Sequence, residues 1–234
     1  MFRRNFLKFL TLLAGASFLE TACRAQSGGK EPPAEAAQEP RPLSQDLQKA
    51  GQGKRMKITV ITGSPRKNGN TAYLAEQFIK GAKESGHEIF RFDSAFQKVS
   101  PCRACNACGM NGPCVLNDDF DKLLRPRLLD ADAVIFVSPM YYFGFSAQLK
   151  TVIDRFYAFN GQLQAIPKKA ALIMAYADTS ERERQAMLAH YRTLLDYLNW
   201  RDVGQVIAPG FWTAGSVKGS SYCDQAYQLG KNLK

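Results

Sequence analysis

From residue 56 onward, short β-branched runs alternate with longer stretches whose apolar residues recur every three or four positions, the signatures of strands and helices in turn. Strands are predicted at 57–62, 88–92, 133–138, 170–176 and 203–208. Helices are predicted at about 70–85, 119–130, 146–160, 180–199 and 220–232. Pro126 should break or kink the second helix, because it lacks an N–H and its ring crowds the preceding turn. Ile58, Val60 and Ile61 suit a strand buried on both faces, and the strict alternation of strand and helix implies a parallel sheet covered on each side. Five such strands with a glycine loop after the first predict a doubly wound, three-layer α/β/α domain of strand order 2-1-3-4-5. Its ligand should lie beyond the carboxyl ends of the strands, where the order reverses.

The first 55 residues read differently. Residues 1–25 place Arg3 and Arg4 ahead of an apolar run too short to span a bilayer comfortably, as in a targeting segment. Arg3-Arg4-Asn5-Phe6-Leu7-Lys8 looks like a twin-arginine export signal, with Phe2 where Ser or Thr is usual; an uncleaved N-terminal anchor is the alternative. Cys23 follows Leu19-Glu20-Thr21-Ala22, an imperfect lipoprotein box, so acylation at Cys23 competes with ordinary cleavage after Ala25. Residues 26–55 are rich in Gly, Pro, Ala, Glu and Gln and cannot bury a core, which makes them a tether. The expected destination is the periplasm or the outer membrane face, with the globular domain spanning 56–234. The net charge of +10 is scattered, with no long basic run and no nucleic-acid module, so nucleic acid is not expected as a partner.

Within the domain, Gly63-Ser64-Pro65-Arg66-Lys67-Asn68-Gly69-Asn70-Thr71 joins the first strand to the first helix. Glycines permit close backbone approach, the helix start offers free N–H groups, and the Ser64 and Thr71 hydroxyls can donate to an anion. The loop lacks both the Gly-Lys-Ser/Thr ending of a P-loop and the G-x-G-x-x-G of a dinucleotide fold. After the third strand comes Ser138-Pro139-Met140-Tyr141-Tyr142-Phe143-Gly144-Phe145-Ser146, dense in aromatics that could stack on a flat heterocycle or simply plug the core.

Together these two loops resemble those of the flavodoxin-like FMN reductases, a resemblance covering the chain from about residue 57 to its end. It implies FMN, with Ser64, Arg66, Asn70 and Thr71 at the phosphate and Pro139, Met140, Tyr141, Tyr142, Phe143 and Gly144 bordering the isoalloxazine. The third loop, Ala175-Tyr176-Ala177-Asp178-Thr179, departs from the glycine-rich version common in that family.

The insertion at 94–118 holds four of the six cysteines, Cys102, Cys105, Cys108 and Cys114, spaced C-x2-C-x2-C-x5-C among small residues. Four thiolates so close can surround one metal centre. The spacing, with Asp118-Asp119 after it, resembles that of the iron–sulfur flavoproteins, which implies a [4Fe–4S] cluster paired with FMN on this fold and a homo-oligomer in which the cluster of one subunit lies near the flavin of another. Structural zinc, two disulfides and reduced bystanders are the other readings of these cysteines. A twin-arginine route would allow both cofactors to be inserted before export. The expected function is electron transfer between FMN and the cluster, with a protein or quinone as external partner and no general acid or base. Two alternatives stand beside it: an NAD(P)H-dependent FMN or quinone reductase with a structural cysteine loop, and a non-catalytic binding module. Cys223, His87 and His190 have no chemical role in this reading.

Overall fold

The computed structural model describes residues 55–234, so the expected signal segment, Cys23 and the expected tether lie outside the described residues. The chain runs β1 (Lys57–Thr62), α1 (Asn70–Glu84), β2 (Glu88–Asp93), α2 (Arg125–Asp130), β3 (Ala133–Tyr141), β4 (Gly144–Phe145), α3 (Ala147–Arg155), α4 (Asn160–Ala165), β5 (Lys169–Ala175), α5 (Glu181–Leu198), β6 (Arg201–Ala208) and α6 (Ser221–Lys231). The main sheet is parallel in the order β2-β1-β3-β5-β6. Setting aside the two-residue β4, which pairs antiparallel with the end of β3, this is the expected 2-1-3-4-5 order.

Period-two alternation builds the two faces. Ala133, Ile135 and Val137 of β3 and Ala171 and Ile173 of β5 pack with Leu74 and Phe78 of α1 and Ala226 of α6. Val134, Phe136, Leu172 and Met174 point the other way, toward Leu149, Val152, Tyr191 and Leu195. Both layers are apolar throughout, as a parallel sheet buried on both sides requires.

Pro126 acts as expected. The helix predicted at 119–130 is a π-helical turn, Phe120–Leu124, in which the Arg125 N–H reaches back to the Phe120 carbonyl. α2 then starts with Pro126 in its first turn, where a missing N–H costs nothing. The 146–160 helix is likewise shorter than its pattern: α3 tightens into a 3₁₀ turn at Phe156–Phe159 before α4 begins. Among the described residues no helix is long and apolar enough to cross a membrane. His87 knits the two ends of the domain, its Nδ1 accepting from the Met56 N–H and its Nε2 lying 2.9 Å from the Leu233 carbonyl oxygen.

Candidate functional site

The first loop is assembled by close approach. The Gly63 N–H donates to the Val137 carbonyl at 2.8 Å, and the Gly63 carbonyl accepts from the Ser146 hydroxyl at 2.7 Å. A Cβ on Gly63 would lie 2.3 Å from Ser146 Oγ and 2.7 Å from Leu149 Cβ, so only glycine lets α3 begin here. Ser64 Oγ accepts from the Arg66 N–H and donates to the Arg66 carbonyl, closing the turn. Gly69 is the N-cap of α1 and no side chain caps that end. The Asn70 and Thr71 N–H groups and the positive end of the helix dipole are thus left for an anion, with the Thr71 hydroxyl on the same cleft and the Arg66 side chain exposed at its rim.

Asn70 lines the cleft, but its side chain is engaged within the chain. Its side-chain N–H groups donate to the carbonyls of Phe211, at 3.2 Å, and Thr213, at 2.9 Å, and its oxygen accepts from the Val217 N–H at 3.1 Å. That side chain ties the 209–220 loop to the start of α1; what Asn70 can offer a phosphate is its backbone N–H.

The aromatic loop is a β-hairpin. β3 runs past the sheet to Tyr141, Met140 pairs with Phe145 and Tyr141 with Gly144, leaving Tyr142 and Phe143 as a two-residue turn. Both have positive φ, 45° and 64°, the geometry of the hairpin turns that match strand twist, here adopted by bulky residues that normally avoid it. Such strain persists only where the surroundings enforce it. Ser138 Oγ accepts from the Ser146 N–H, so the hairpin is clamped at its base, and the Tyr142 ring is 98% exposed.

These loops enclose a cleft of about 600 Å3 at the carboxyl ends of β1, β3 and β5. It brings together Ser64, Arg66, Asn70, Thr71, Pro139, Met140, Tyr141 and Tyr142. Phe143 lines an adjoining compartment instead, and Gly144 lines neither, serving to pair β4 with Tyr141. The third loop does contribute: Ala175, Tyr176 and Ala177 form one wall. Phe211 and Trp212 form another that the sequence reading missed; Trp212 is 82% exposed on the loop Asn70 tethers. The Phe211-Trp212 pair in the loop after the last strand was the available signal.

The cysteine insertion is a separate site. Cys102, Cys105, Cys108 and Cys114, all free, line one small cavity whose other wall is Arg155, Tyr157 and Ala158. Its enclosed part is about 20 Å3, and among the described residues no three His, Cys, Asp or Glu side chains converge as they would on a single ion. Ala104, Asn106, Gly109 and Met110 take positive φ, wrapping the chain about the sulfurs, and the Ala104 N–H donates to Cys102 Sγ at 3.4 Å. Free soft thiols, an N–H···S bond and an adjacent guanidinium are a donor set suited to an iron–sulfur cluster.

Arg155, 1% exposed, fastens this insertion. It donates to the Ser100 carbonyl at 2.9 Å, pairs with Asp118 at 2.8 Å and Asp121 at 2.5 Å, and lies over the Phe120 ring. Asp118 also accepts from the N–H groups of Ser100 and Phe120, and Asp119 from that of Lys98, so the two aspartates close the neck of the loop. Burial works against the ionised Asp118, but the hydrogen bonds from Arg155 and the backbone outweigh it and hold its carboxyl below the usual range.

An uncapped helix start and an aromatic wall at the switch point of a 2-1-3-4-5 parallel sheet define a flavodoxin-like flavin site. The chain belongs to the NADPH-dependent FMN reductase family, whose profile matches residues 56–213. It is 32% identical over 183 residues to an iron–sulfur flavoprotein of Archaeoglobus fulgidus, covering 76% of this chain and 79% of that relative. Against an iron–sulfur flavoprotein of Methanocaldococcus jannaschii it is 40% identical over 100 residues, 43% of this chain and about half, 51%, of the relative. An NAD(P)H:quinone oxidoreductase structure from Methanothermobacter marburgensis shares the fold, with a TM-score of 0.59 at 19% identity over 77% of this chain and 97% of that one. The protein is a flavin-dependent oxidoreductase, and FMN is the cofactor of its family.

Proposed function

We propose that the protein is an electron-transfer flavoprotein in which FMN occupies the cleft and a [4Fe–4S] cluster is held by Cys102, Cys105, Cys108 and Cys114. The observation that carries this reading is the lining of one cavity by all four cysteines of the insertion, each of them free, with Arg155 at the end of α3 on its wall. α3 opens at Ser146, hydrogen-bonded to Gly63 beneath the cleft, and ends at Arg155 on the cysteine cavity. Its nine residues span about 13 Å, so one rigid element links the two sites.

When bound, FMN supplies one- and two-electron chemistry and the cluster one-electron chemistry. The chain's own residues bind and orient. Thr71 and the N–H groups at the start of α1 hold the phosphate, with Arg66 at the rim, and Ser64 joins them by turning its hydroxyl from the Arg66 carbonyl to the anion. Pro139, Met140, Tyr141 and Tyr142 border the ring, and Arg155 offsets thiolate charge. The external partner is a protein or a quinone, and the working form is a homo-oligomer. Export by the twin-arginine signal belongs to the same proposal; the mass of the mature N-terminus distinguishes acylated Cys23 from a chain cut after Ala25.

The test is an absorption spectrum with iron, sulfide and zinc analysis on protein purified without oxygen. Flavin bands, a broad sulfur-to-iron shoulder and about four iron and four sulfide per chain are expected. Stoichiometric zinc, or flavin without iron, would leave an FMN reductase with a structural cysteine loop.

A further inference from the structure

Beside the cleft lies a second compartment, an open one of about 410 Å3, that shares Met140, Tyr142, Tyr176, Ala177 and Trp212 with it. Its size suits a small flat ligand. Its walls are aromatic, from Tyr142, Phe143, Tyr176 and Trp212, and its only charged lining groups are the carboxylates of Asp178 and Glu183. Neither forms an ion pair among the described residues; the neighbouring Arg184 pairs with Glu181 instead, at 2.6 Å. Asp178 accepts a single bond, from the Ser180 N–H, which leaves its charge otherwise uncompensated. On a chain of net charge +10, a compartment lined by two acids and no base is a local reversal of sign.

We propose that this compartment seats the electron acceptor, that the acceptor is a flat aromatic molecule without negative charge, of the quinone class, and that Asp178 and Glu183 are specificity-determining residues that reject its anionic analogues. The aromatic walls stack a planar ring of any charge, so they give affinity without discrimination. The carboxylates supply the discrimination by like-charge repulsion, which needs no contact with the reacting atoms. In the reaction the quinone takes two electrons and two protons from reduced FMN and leaves as the hydroquinone, FMN returning to its oxidised form. The inference rests on the flavin reading of the cleft.

The experiment compares a neutral naphthoquinone with its sulfonate as oxidant of the photochemically reduced holoprotein in stopped flow, without oxygen. Each rate is divided by that of free reduced FMN, which removes the intrinsic difference between the acceptors. The neutral acceptor should be preferred by about tenfold at low salt. Asp178→Asn with Glu183→Gln should bring the ratio close to one; asparagine retains an oxygen for the Ser180 N–H. In the unmodified protein, raising salt should lower the ratio in the same direction, a check that survives if the double variant folds poorly. A ratio near one, or one that neither substitution nor salt moves, would overturn the proposal. Flavin content is measured separately: a protein that holds no FMN defeats the flavin reading, whereas a flavin-loaded protein without charge preference defeats only this inference.

Discussion

Arg155 carries more of the cysteine site than any cysteine does. Its guanidinium is buried and forked between Asp118 and Asp121, with a further bond to the Ser100 carbonyl, so one side chain joins α3 to both ends of the insertion. Removing one partner of a buried network strands the others, at about 3–5 kcal/mol. Arg155→Met should therefore lower stability by about that amount and release the cysteine loop. Arg155→Lys should recover only part, because an ammonium cannot reproduce the planar fork. Iron content and the urea midpoint of the two variants check this, and a methionine variant with full iron and an unchanged midpoint would remove Arg155 from that role. The sequence showed the four cysteines and the aspartate pair, but nothing in it marked Arg155. Its partners lie 34 to 55 residues earlier, and a lone arginine late in an amphipathic helix reads as a solvated residue.

At the level of elements, the same limit explains what was legible. Strand positions and sheet order follow from local apolar runs and alternation, and the phosphate turn and aromatic loop are contiguous, so each could be read in place. The fourth wall of the cleft could not be. Its link to the phosphate turn joins Asn70 to residues 141 to 147 positions away, and Asn70 in a glycine loop reads as a turn residue or a ligand. Asn70→Asp keeps the shape but removes both donors and sets a carboxylate against the Phe211 and Thr213 carbonyls, at about 1–3 kcal/mol. The 209–220 loop should then exchange its amide hydrogens faster even without flavin, and FMN should bind several-fold more weakly. Trp212→Ala should weaken FMN by itself, and the two changes together should cost less than their sum, because both withdraw the same wall. Unaltered exchange in Asn70→Asp would mean that the loop holds its place without this tether.

The molecule as a whole should show the acid–base consequences of its buried groups in its stability. At the acid end, Asp118 is held below the usual carboxylate range of about 3.8, so the stability it contributes is present above that pH and is lost as pH falls through the folded value. The alkaline side is set by Lys168, which is buried and donates to the carbonyls of Leu129 and Ala131 at the end of α2. Burial pushes its ammonium down to about 8, against 10.5 for an ordinary lysine. Between those two values the unfolded chain binds more protons than the native one, so stability rises with pH there, by about 2–3 kcal/mol. The neutral amine still has two N–H groups for the two carbonyls, so losing the proton need not break the contact. Above about pH 10 the sign reverses through Tyr191. Burial, and then Asp202, keep its phenol protonated in the native state, while in the unfolded chain it ionises. The urea midpoint of the holoprotein should thus climb from pH 8 toward 10 and then fall. Lys168→Met should abolish the climb and keep the fall, whereas a climb that survives in the variant would assign it to another group.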